Sequence, residues 1–186
     1  MTILNAVILG LVQGVAEFLP ISSSGHLAIL QDLFGMTTAE EGHLFFDVLL
    51  HLGTLVSIFV MYWGDIAGMV REVFAVLRGG RWADGRPAGA LPQARLFLMI
   101  VLATLPLVIV LPVNGYVEQL YYMPAFVGAM LILTGALLYV SDRMPRGRKT
   151  ERTMRMSDAL LIGLCQCVAT IPGLSRSGTT ITAGIA

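Results

Sequence analysis

Two short polar segments interrupt apolar stretches of this 186-residue sequence, and their side chains are of the kinds that bind phosphate. The first polar segment is residues 20–26 (PISSSGH), and the second is residues 172–178 (PGLSRSG). Hydroxyl groups and free backbone amides at the start of a helix bind anions, and arginine adds a planar fork of donors that matches phosphate oxygens. We therefore predict that the two segments together bind a phosphate group.

Arg176 is the strongest single indication of this chemistry. A charge deep in a membrane segment costs at least about 2.5–3.5 kcal/mol, so it needs a partner or a function. Phosphate binding is one explanation, and an ion pair with a carboxylate such as Glu17 is the structural alternative. The residues that we predict to surround the phosphate are Ser22, Ser24, Gly25, Ser175, Ser177, Gly178 and Thr179.

His26 and Ser23 are the candidate reactive groups of the first polar segment. A histidine has a pKa that suits a nucleophile or a general acid or base. Ser23 is the rival nucleophile, which His26 could activate from three residues further along. The structural alternative is a core histidine whose hydrogen bonds are satisfied.

Glu17 and Gln13 lie four residues apart, so they share one face of a helix. Glu17 is a carboxylate within an apolar run, where it could bind a divalent cation that bridges to phosphate or could carry a proton. Gln13 could orient that cation. The prediction is therefore a Mg²⁺ or Ca²⁺ ion with Glu17 and Gln13 as ligands. Asp47 and His51 form another pair four residues apart, which solvation at a membrane interface explains.

The composition points to lipid as the solvent. Hydrophobic residues make up 56% of the sequence and charged residues 13%, whereas a soluble domain carries about 25% charged residues. The net charge is zero, which gives no indication of a nucleic-acid partner. Cys165 and Cys167 match no metal-binding pattern and are interpreted as packing residues.

The elements that must position these residues are helices. Residues 44–63, 94–113 and 123–140 are apolar runs of about the length that spans a bilayer. Residues 2–34 and 157–178 each predict a half-helix, a polar turn and the start of another half-helix. Irregular backbone at membrane depth must be buried in protein or line a wet cavity. We predict an all-α polytopic membrane protein with re-entrant helix hairpins.

The two interrupted segments predict an internal repeat. A shift of 153 residues gives nine identities over the twenty positions 6–25. Lysine and arginine cluster in loops 64–95 and 141–158, which the positive-inside rule makes cytoplasmic. The repeats are therefore inverted, and their turns meet near the middle of the membrane. The predicted single integral membrane domain, 1–186, comprises repeat one (about 1–63), cytoplasmic loop 64–95, spans 96–140, cytoplasmic loop 141–158 and the start of repeat two (159–186).

Residues 13–26 and 172–180 closely resemble the motifs of the undecaprenyl-diphosphatase family, the bacitracin-resistance phosphatases. The resemblance implies a bacterial inner-membrane enzyme that uses magnesium or calcium and has a site open to the extracytoplasmic side. It also implies that Glu17, Ser23, His26 and Arg176 are essential, with Gln13 as a partner. Some family members carry Glu where this chain has Gln13. Similar proteins continue for several more spans, so we expect the chain to be truncated at its C-terminus.

The predicted function is hydrolysis of undecaprenyl diphosphate to undecaprenyl phosphate and inorganic phosphate. This reaction recycles the lipid carrier of peptidoglycan synthesis and confers bacitracin resistance. The main alternative is a transporter or flippase for lipid phosphates, which would use the same inverted repeats, and a non-enzymatic assembly subunit is a third hypothesis. The predicted partners are a polyprenyl diphosphate and the membrane, with no nucleic acid and with a homodimer as a further candidate.

Overall fold

The computed structural model describes residues 2–36, 41–78, 92–145 and 153–185, which form helices joined by turns. The predicted all-α architecture is confirmed for these ranges. Much of the two predicted loops, residues 79–91 and 146–152, lies outside the described residues, as do the arginines and the lysine there. The helices are α1 Ile3–Phe18, α2 Ser23–Leu33, α3 Glu41–Met61, α4 Trp63–Leu77, α5 Pro92–Thr104, α6 Asn114–Leu120, α7 Pro124–Ser141, α8 Met156–Val168 and α9 Arg176–Ile185, with a 3-10 helix at Leu105–Val113 between α5 and α6.

Two stretches in the described part of the chain are long and apolar enough to cross a membrane. The most apolar 18-residue part of Gln93–Leu120 has a mean hydropathy of 2.8, and Pro124–Ser141 has 1.8. They confirm the spans predicted at 94–113 and 123–140, although the first continues to Leu120. Pro106 and Pro112 lie in the 3-10 part of that span, where their missing N–H groups interrupt the α-helical hydrogen bonds.

The span predicted at residues 44–63 ends early and bends. Helix α3 stops at Met61, and α4 begins at Trp63 at an angle of 77° to it. The two helices together form one broken span or a re-entrant pair. Helix α4 occupies the first part of the predicted loop 64–95, and its Glu72 accepts a hydrogen bond from the Ala94 amide at 2.8 Å.

The first hairpin consists of α1 and α2, joined by the first turn (residues 19–22). The polar segment 20–26 was predicted to be the turn, but α2 begins within it, at Ser23. Ser22 has a φ of +69°, which L-residues rarely adopt, and this conformation reverses the chain direction within four residues. The Ser22 side chain then accepts a hydrogen bond from the Gly25 amide at 3.4 Å, and its carbonyl accepts one from the His26 amide at 3.2 Å.

The second hairpin, α8 and α9 with the second turn (residues 169–175) between them, repeats this arrangement. Ser175 Oγ accepts from the Gly178 amide at 3.0 Å, and the Ser175 carbonyl accepts from the Thr179 amide at 2.9 Å. Ser22 and Ser175 are 153 residues apart, so the local structure agrees with the internal repeat in the sequence. The inverted orientation of the repeats and the predicted domain boundaries stay predictions.

The start of α2 touches the second turn, and the start of α9 touches the first turn. A Cβ atom added to Gly25 would lie 2.9 Å from Gly173 Cα, and one added to Gly178 would lie 2.9 Å from the Pro20 carbonyl oxygen. Helix α7 packs against both α2 and α9. These contacts bring the two polar segments together, as predicted from the sequence.

The packed interior is small beside the apolar surface. Leu9, Leu27 and Met36 form a buried cluster that joins α1, α2 and the residues after α2. Many large apolar side chains are instead exposed, among them Ile3 and Ile132, as expected for helices whose solvent is lipid. The chain is therefore a membrane protein whose buried contacts concentrate where the hairpins meet.

Candidate active site

A cavity of about 1030 Å³ lies between the two hairpins, with α3 and the chain around residues 115–124 as further walls. It has the size of pockets that hold small ligands. Both polar segments contribute to its lining. The predicted site residues that line it are Glu17, Ser22, Ser23, Ser24, Ser175, Arg176 and Ser177.

Glu17 and Ser23 form the shortest side-chain contact in this cavity. Ser23 Oγ donates a hydrogen bond to Glu17 Oε2 at 2.6 Å. This length is typical of a hydroxyl bonded to an ionised carboxylate. A serine whose proton points at a carboxylate presents its lone pairs to the other side, which is the arrangement of a nucleophile with its general base.

Gln13 holds the Glu17 carboxylate from the other direction. Its Nε2 donates to Glu17 Oε2 at 3.0 Å, and the side chain is buried, with 1% of its surface exposed. Gln13 does not line the cavity. Its Oε1 has no hydrogen-bond partner among the described residues. Within this arrangement Gln13 positions Glu17.

His26 lies in the first turn of α2 but does not line the cavity. Its Nδ1 is 2.8 Å from the Ser22 carbonyl oxygen. Because a carbonyl can only accept, Nδ1 carries the proton in this hydrogen bond. The structure thus pairs Ser23 with Glu17, whereas we expected His26 to activate it. A catalytic role for His26 stays a prediction.

Arg176 is the first residue of α9, and its side chain is exposed in the cavity. In the described part of the chain, its guanidinium forms neither a hydrogen bond nor an ion pair. The alternative of a structural ion pair with Glu17 is therefore not what the described residues show. A free guanidinium beside the N-terminal amides of a helix is suited to bind an anion.

The serines that were predicted to bind phosphate divide into two groups. Ser22 and Ser175 cap α2 and α9 with their side chains, so their oxygens are already occupied as acceptors. Ser24 and Ser177 line the cavity beside Ser23 and Arg176. Ser177 Oγ lies 3.2 Å from Ser175 Oγ.

Gly25, Gly178 and Thr179 do not line the cavity. The two glycines instead allow the turns to approach each other closely, as described above. The Thr179 amide is bonded to the Ser175 carbonyl. The geometry therefore gives these three residues a role in building the site, and direct phosphate binding by them stays a prediction.

Thr134 of α7 is a residue that the sequence analysis missed. Its Oγ1 donates to the Gly173 carbonyl at 2.9 Å and accepts from the Ser175 amide at 3.0 Å, and the residue is 2% exposed. This one hydroxyl fixes the backbone that leads into Arg176. The sequence shows a hydroxyl inside an apolar span, which signals a polar contact but does not identify the partner.

His51 of α3 also lines the cavity, although its sequence position suggested only an interfacial residue. Its Nε2 lies 4.0 Å from Glu17 Oε2. Asp47, one turn earlier, accepts a hydrogen bond from Gln31 Nε2 at 2.7 Å, which ties α3 to α2. The periodicity of α3 could not show that this face turns towards Glu17.

The residues present suit a cation that arrives with phosphate. Among the described residues, no group of three or more His, Cys, Asp or Glu side chains could hold a metal ion. Mg²⁺ usually binds proteins through one or two carboxylates together with the phosphates of a substrate. One carboxylate, Glu17, lies beside the predicted phosphate position, and its Oε2 already accepts two hydrogen bonds.

The chain is similar to known proteins of a single family. The family model described as bacitracin resistance protein BacA matches residues 6–186. The chain is 40% identical to an undecaprenyl-diphosphatase of Methanosphaera stadtmanae over 98% of its length, which is 66% of that relative. It is 42% identical to one of Pelotomaculum thermopropionicum (99% of this chain, 64% of the relative) and 43% identical to one of Desulforudis audaxviator (95% and 62%). The chain thus spans slightly less than two thirds of the length of these curated relatives.

Proposed function

The chain belongs to the bacitracin resistance protein BacA family, and from this membership and the geometry of the cavity we propose that it hydrolyses undecaprenyl diphosphate to undecaprenyl phosphate and inorganic phosphate. One observation carries the proposal. Ser23 Oγ is bonded to Glu17 Oε2 at 2.6 Å in the same cavity that receives Arg176 from the other hairpin. A nucleophile, its base and an anion-binding group are the parts that phosphoryl transfer needs.

In the first half of the proposed reaction, Ser23 Oγ attacks the terminal phosphorus of the diphosphate. The bond between that phosphorus and the bridging oxygen breaks, and undecaprenyl phosphate leaves. The Ser23 proton passes to Glu17 Oε2. Arg176 and the first amides of α9 stabilise the negative charge that develops on the terminal phosphoryl oxygens.

In the second half, a water molecule attacks the phosphorus of the phosphoserine. The bond from phosphorus to Ser23 Oγ breaks, and inorganic phosphate leaves, with the hydrogens of the attacking water on the phosphate or passed to solvent. Glu17 returns its proton to Ser23 Oγ, which restores the starting hydrogen bond. The isoprenoid tail lies in lipid between the helices throughout, since the described surface is largely apolar.

We propose that a Mg²⁺ or Ca²⁺ ion enters with the substrate. When bound, such an ion neutralises phosphate oxygens that Arg176 does not reach. Its main ligands would be the diphosphate oxygens, because the described residues offer no cage of three carboxylates. Direct ligation by Glu17 and Gln13 stays a prediction.

The cellular setting of this reaction is also a proposal. The enzyme would lie in the bacterial inner membrane as a multi-pass protein, with loops 64–95 and 141–158 in the cytoplasm and the cavity open to the extracytoplasmic side. There it would recycle the carrier lipid of peptidoglycan synthesis and confer resistance to bacitracin. A homodimer would give the exposed apolar helix faces a second protein surface to pack against.

Phosphate release in detergent tests the proposal against its rival, a lipid-phosphate flippase. The relatives compared above are named for a phosphatase, and none of them is named for transport. A detergent micelle does not separate two sides of a membrane, so a flippase cannot transport lipid in it. A phosphatase in detergent still releases inorganic phosphate from a polyprenyl diphosphate. We expect release that a chelator suppresses and added Mg²⁺ or Ca²⁺ restores. The absence of release under both conditions would refute the proposed function.

A further inference from the structure

We infer that His51 is a further catalytic residue of this cavity, where it holds the water molecule that hydrolyses the phosphoserine. The inference rests on the proposed function, since it concerns the second half of the same reaction. It assigns a role to α3, a helix that lies outside both hairpins. No motif in the two polar segments includes this residue.

The orientation of the His51 ring is fixed by its own helix. Nδ1 lies 2.9 Å from the Asp47 carbonyl oxygen. The carbonyl only accepts, so Nδ1 donates, and in the neutral ring Nε2 then carries a free lone pair. The side chain is 45% exposed and lines the cavity. Nε2 is therefore a hydrogen-bond acceptor that faces any molecule entering the cavity.

A hydrogen bond also links the helix of His51 to the helix of Ser23. The hydrogen bond from Gln31 Nε2 to Asp47 Oδ1, 2.7 Å long, joins α2 to α3 one turn before His51. Ser23 lies at the start of the same helix, α2. This bond couples the helix that carries the imidazole to the helix that carries the nucleophile.

The gap between His51 and Glu17 has the size of a water molecule. The 4.0 Å from His51 Nε2 to Glu17 Oε2 is too long for a direct hydrogen bond. A water about 2.8 Å from both atoms fits this gap. Such a water would donate one hydrogen to His51 Nε2, lie beside Glu17 Oε2 and direct its lone pairs towards the phosphorus on Ser23 Oγ.

General-base activation of the attacking water calls for a second acceptor. After the first half of the reaction Glu17 holds the proton of Ser23, and it must return that proton to Ser23 Oγ as the phosphoserine breaks. It cannot accept the proton of the attacking water in the same step. As the bond from water oxygen to phosphorus forms and the bond from phosphorus to Oγ breaks, the water proton passes to His51 Nε2 and from there to the released phosphate or to solvent at the open side of the cavity.

The His51→Leu variant isolates this step. With a polyprenyl diphosphate labelled with ³²P in the terminal phosphate, the purified full chain in detergent should still release one lipid phosphate per protein in a rapid burst. The label should then stay on Ser23, and steady release of inorganic phosphate should fall by about 100-fold or more, in the range of general acid–base catalysis. Wild-type protein should hold little label.

Two further variants separate a chemical role from a structural one. His51→Ala should show the same trapped label, and added imidazole, which the exposed position admits, should restore turnover in part. Ser57→Ala is the matched control, because Ser57 Oγ also bonds to the carbonyl four residues earlier on α3, at 3.1 Å from Gly53, and lies outside the cavity. It should turn over at the wild-type rate.

Two results with His51→Leu would overturn the inference. Wild-type turnover by His51→Leu would overturn it, and so would lost turnover without label on Ser23, since His51 would then act before the phosphoserine forms. Both results leave phosphate release by the wild-type chain intact. Failure of the proposed function differs, because the wild-type chain itself would then release no phosphate and would never carry label.

Discussion

Ser23 Oγ and Glu17 Oε2 are 2.6 Å apart, although the two residues lie on opposite arms of the first hairpin. The left-handed conformation of Ser22 places them so, since it starts α2 directly after the reversal of the chain. Glu17 is near the end of α1 and Ser23 is the first residue of α2. A reactive pair is thus created by the turn itself.

Replacing Glu17 with Gln should preserve the shape of the side chain and remove the base. We expect kcat for phosphate release to fall about 10²- to 10⁴-fold, the usual contribution of a general base. Glu118→Gln is the matched control, because Glu118 also lines the cavity but bonds to Asn114 at 2.7 Å. Equal losses in the two variants would show that the cavity needs negative charge in general and would contradict a specific role for Glu17.

Replacing Arg176 with Ala should reduce phosphate release about 10³-fold, as for other arginines that stabilise a transferring phosphoryl group. The thermal midpoint should change little, because the guanidinium has no partner among the described residues. Arg176→Lys should keep the charge but lose the planar fork, so it should recover only part of the activity.

The control for Arg176 is Arg143→Ala. The Arg143 guanidinium stacks on the Tyr139 ring at 3.5 Å and does not line the cavity. Phosphate release should stay near the wild-type rate in this variant. An Arg176→Ala protein that unfolds at a markedly lower temperature would instead favour the structural ion pair.

Thr134→Val should leave the Gly173 carbonyl and the Ser175 amide buried without partners. Each unsatisfied group costs about 1–3 kcal/mol, so the thermal midpoint should fall. Because the same backbone leads into Arg176, kcat should fall as well. Thr134→Ser keeps the hydroxyl and should restore both quantities. A valine variant that melts lower but turns over normally would show that Thr134 stabilises the turn without positioning Arg176.

Gly25→Ala should force the two turns apart. The added Cβ would lie 2.9 Å from Gly173 Cα and 3.0 Å from Leu131 Cδ2. Overpacking of this kind costs about 1–3 kcal/mol, and phosphate release should be lost as the serines and Arg176 separate. Gly14→Ala on α1 has open space around its Cβ and should be neutral or slightly stabilising. Thermal midpoints and phosphate release in detergent measure both effects, and equal behaviour of the two variants would contradict the close contact of the turns.

The sequence alone predicted the helical hairpins and the meeting of their polar segments. These features depend on local signals, namely long apolar runs, prolines and clusters of glycine and serine. The start of α2 at Ser23 was missed because it depends on the left-handed Ser22, a conformation that glycine usually adopts. The sequence pattern therefore placed His26 in the turn, whereas it lies within the helix.

Thr134 and His51 could not be assigned because their partners are distant in the chain. Thr134 bonds to the backbone 39 and 41 residues further on, and His51 faces a carboxylate from α1. Tertiary packing decides which face of an almost uniformly apolar helix turns inward. No periodic pattern in the sequence of α3 or α7 indicates that face.

The most direct test of the account is the rate of phosphate release from a polyprenyl diphosphate by Ser23→Ala protein in detergent. We expect a loss of more than about 10³-fold, the scale seen when a nucleophile that acts as a unit with its base is removed, with an unchanged thermal midpoint. Ser57→Ala should retain the wild-type rate. Near-normal release by Ser23→Ala would contradict the claim that the Glu17–Ser23 pair performs the reaction.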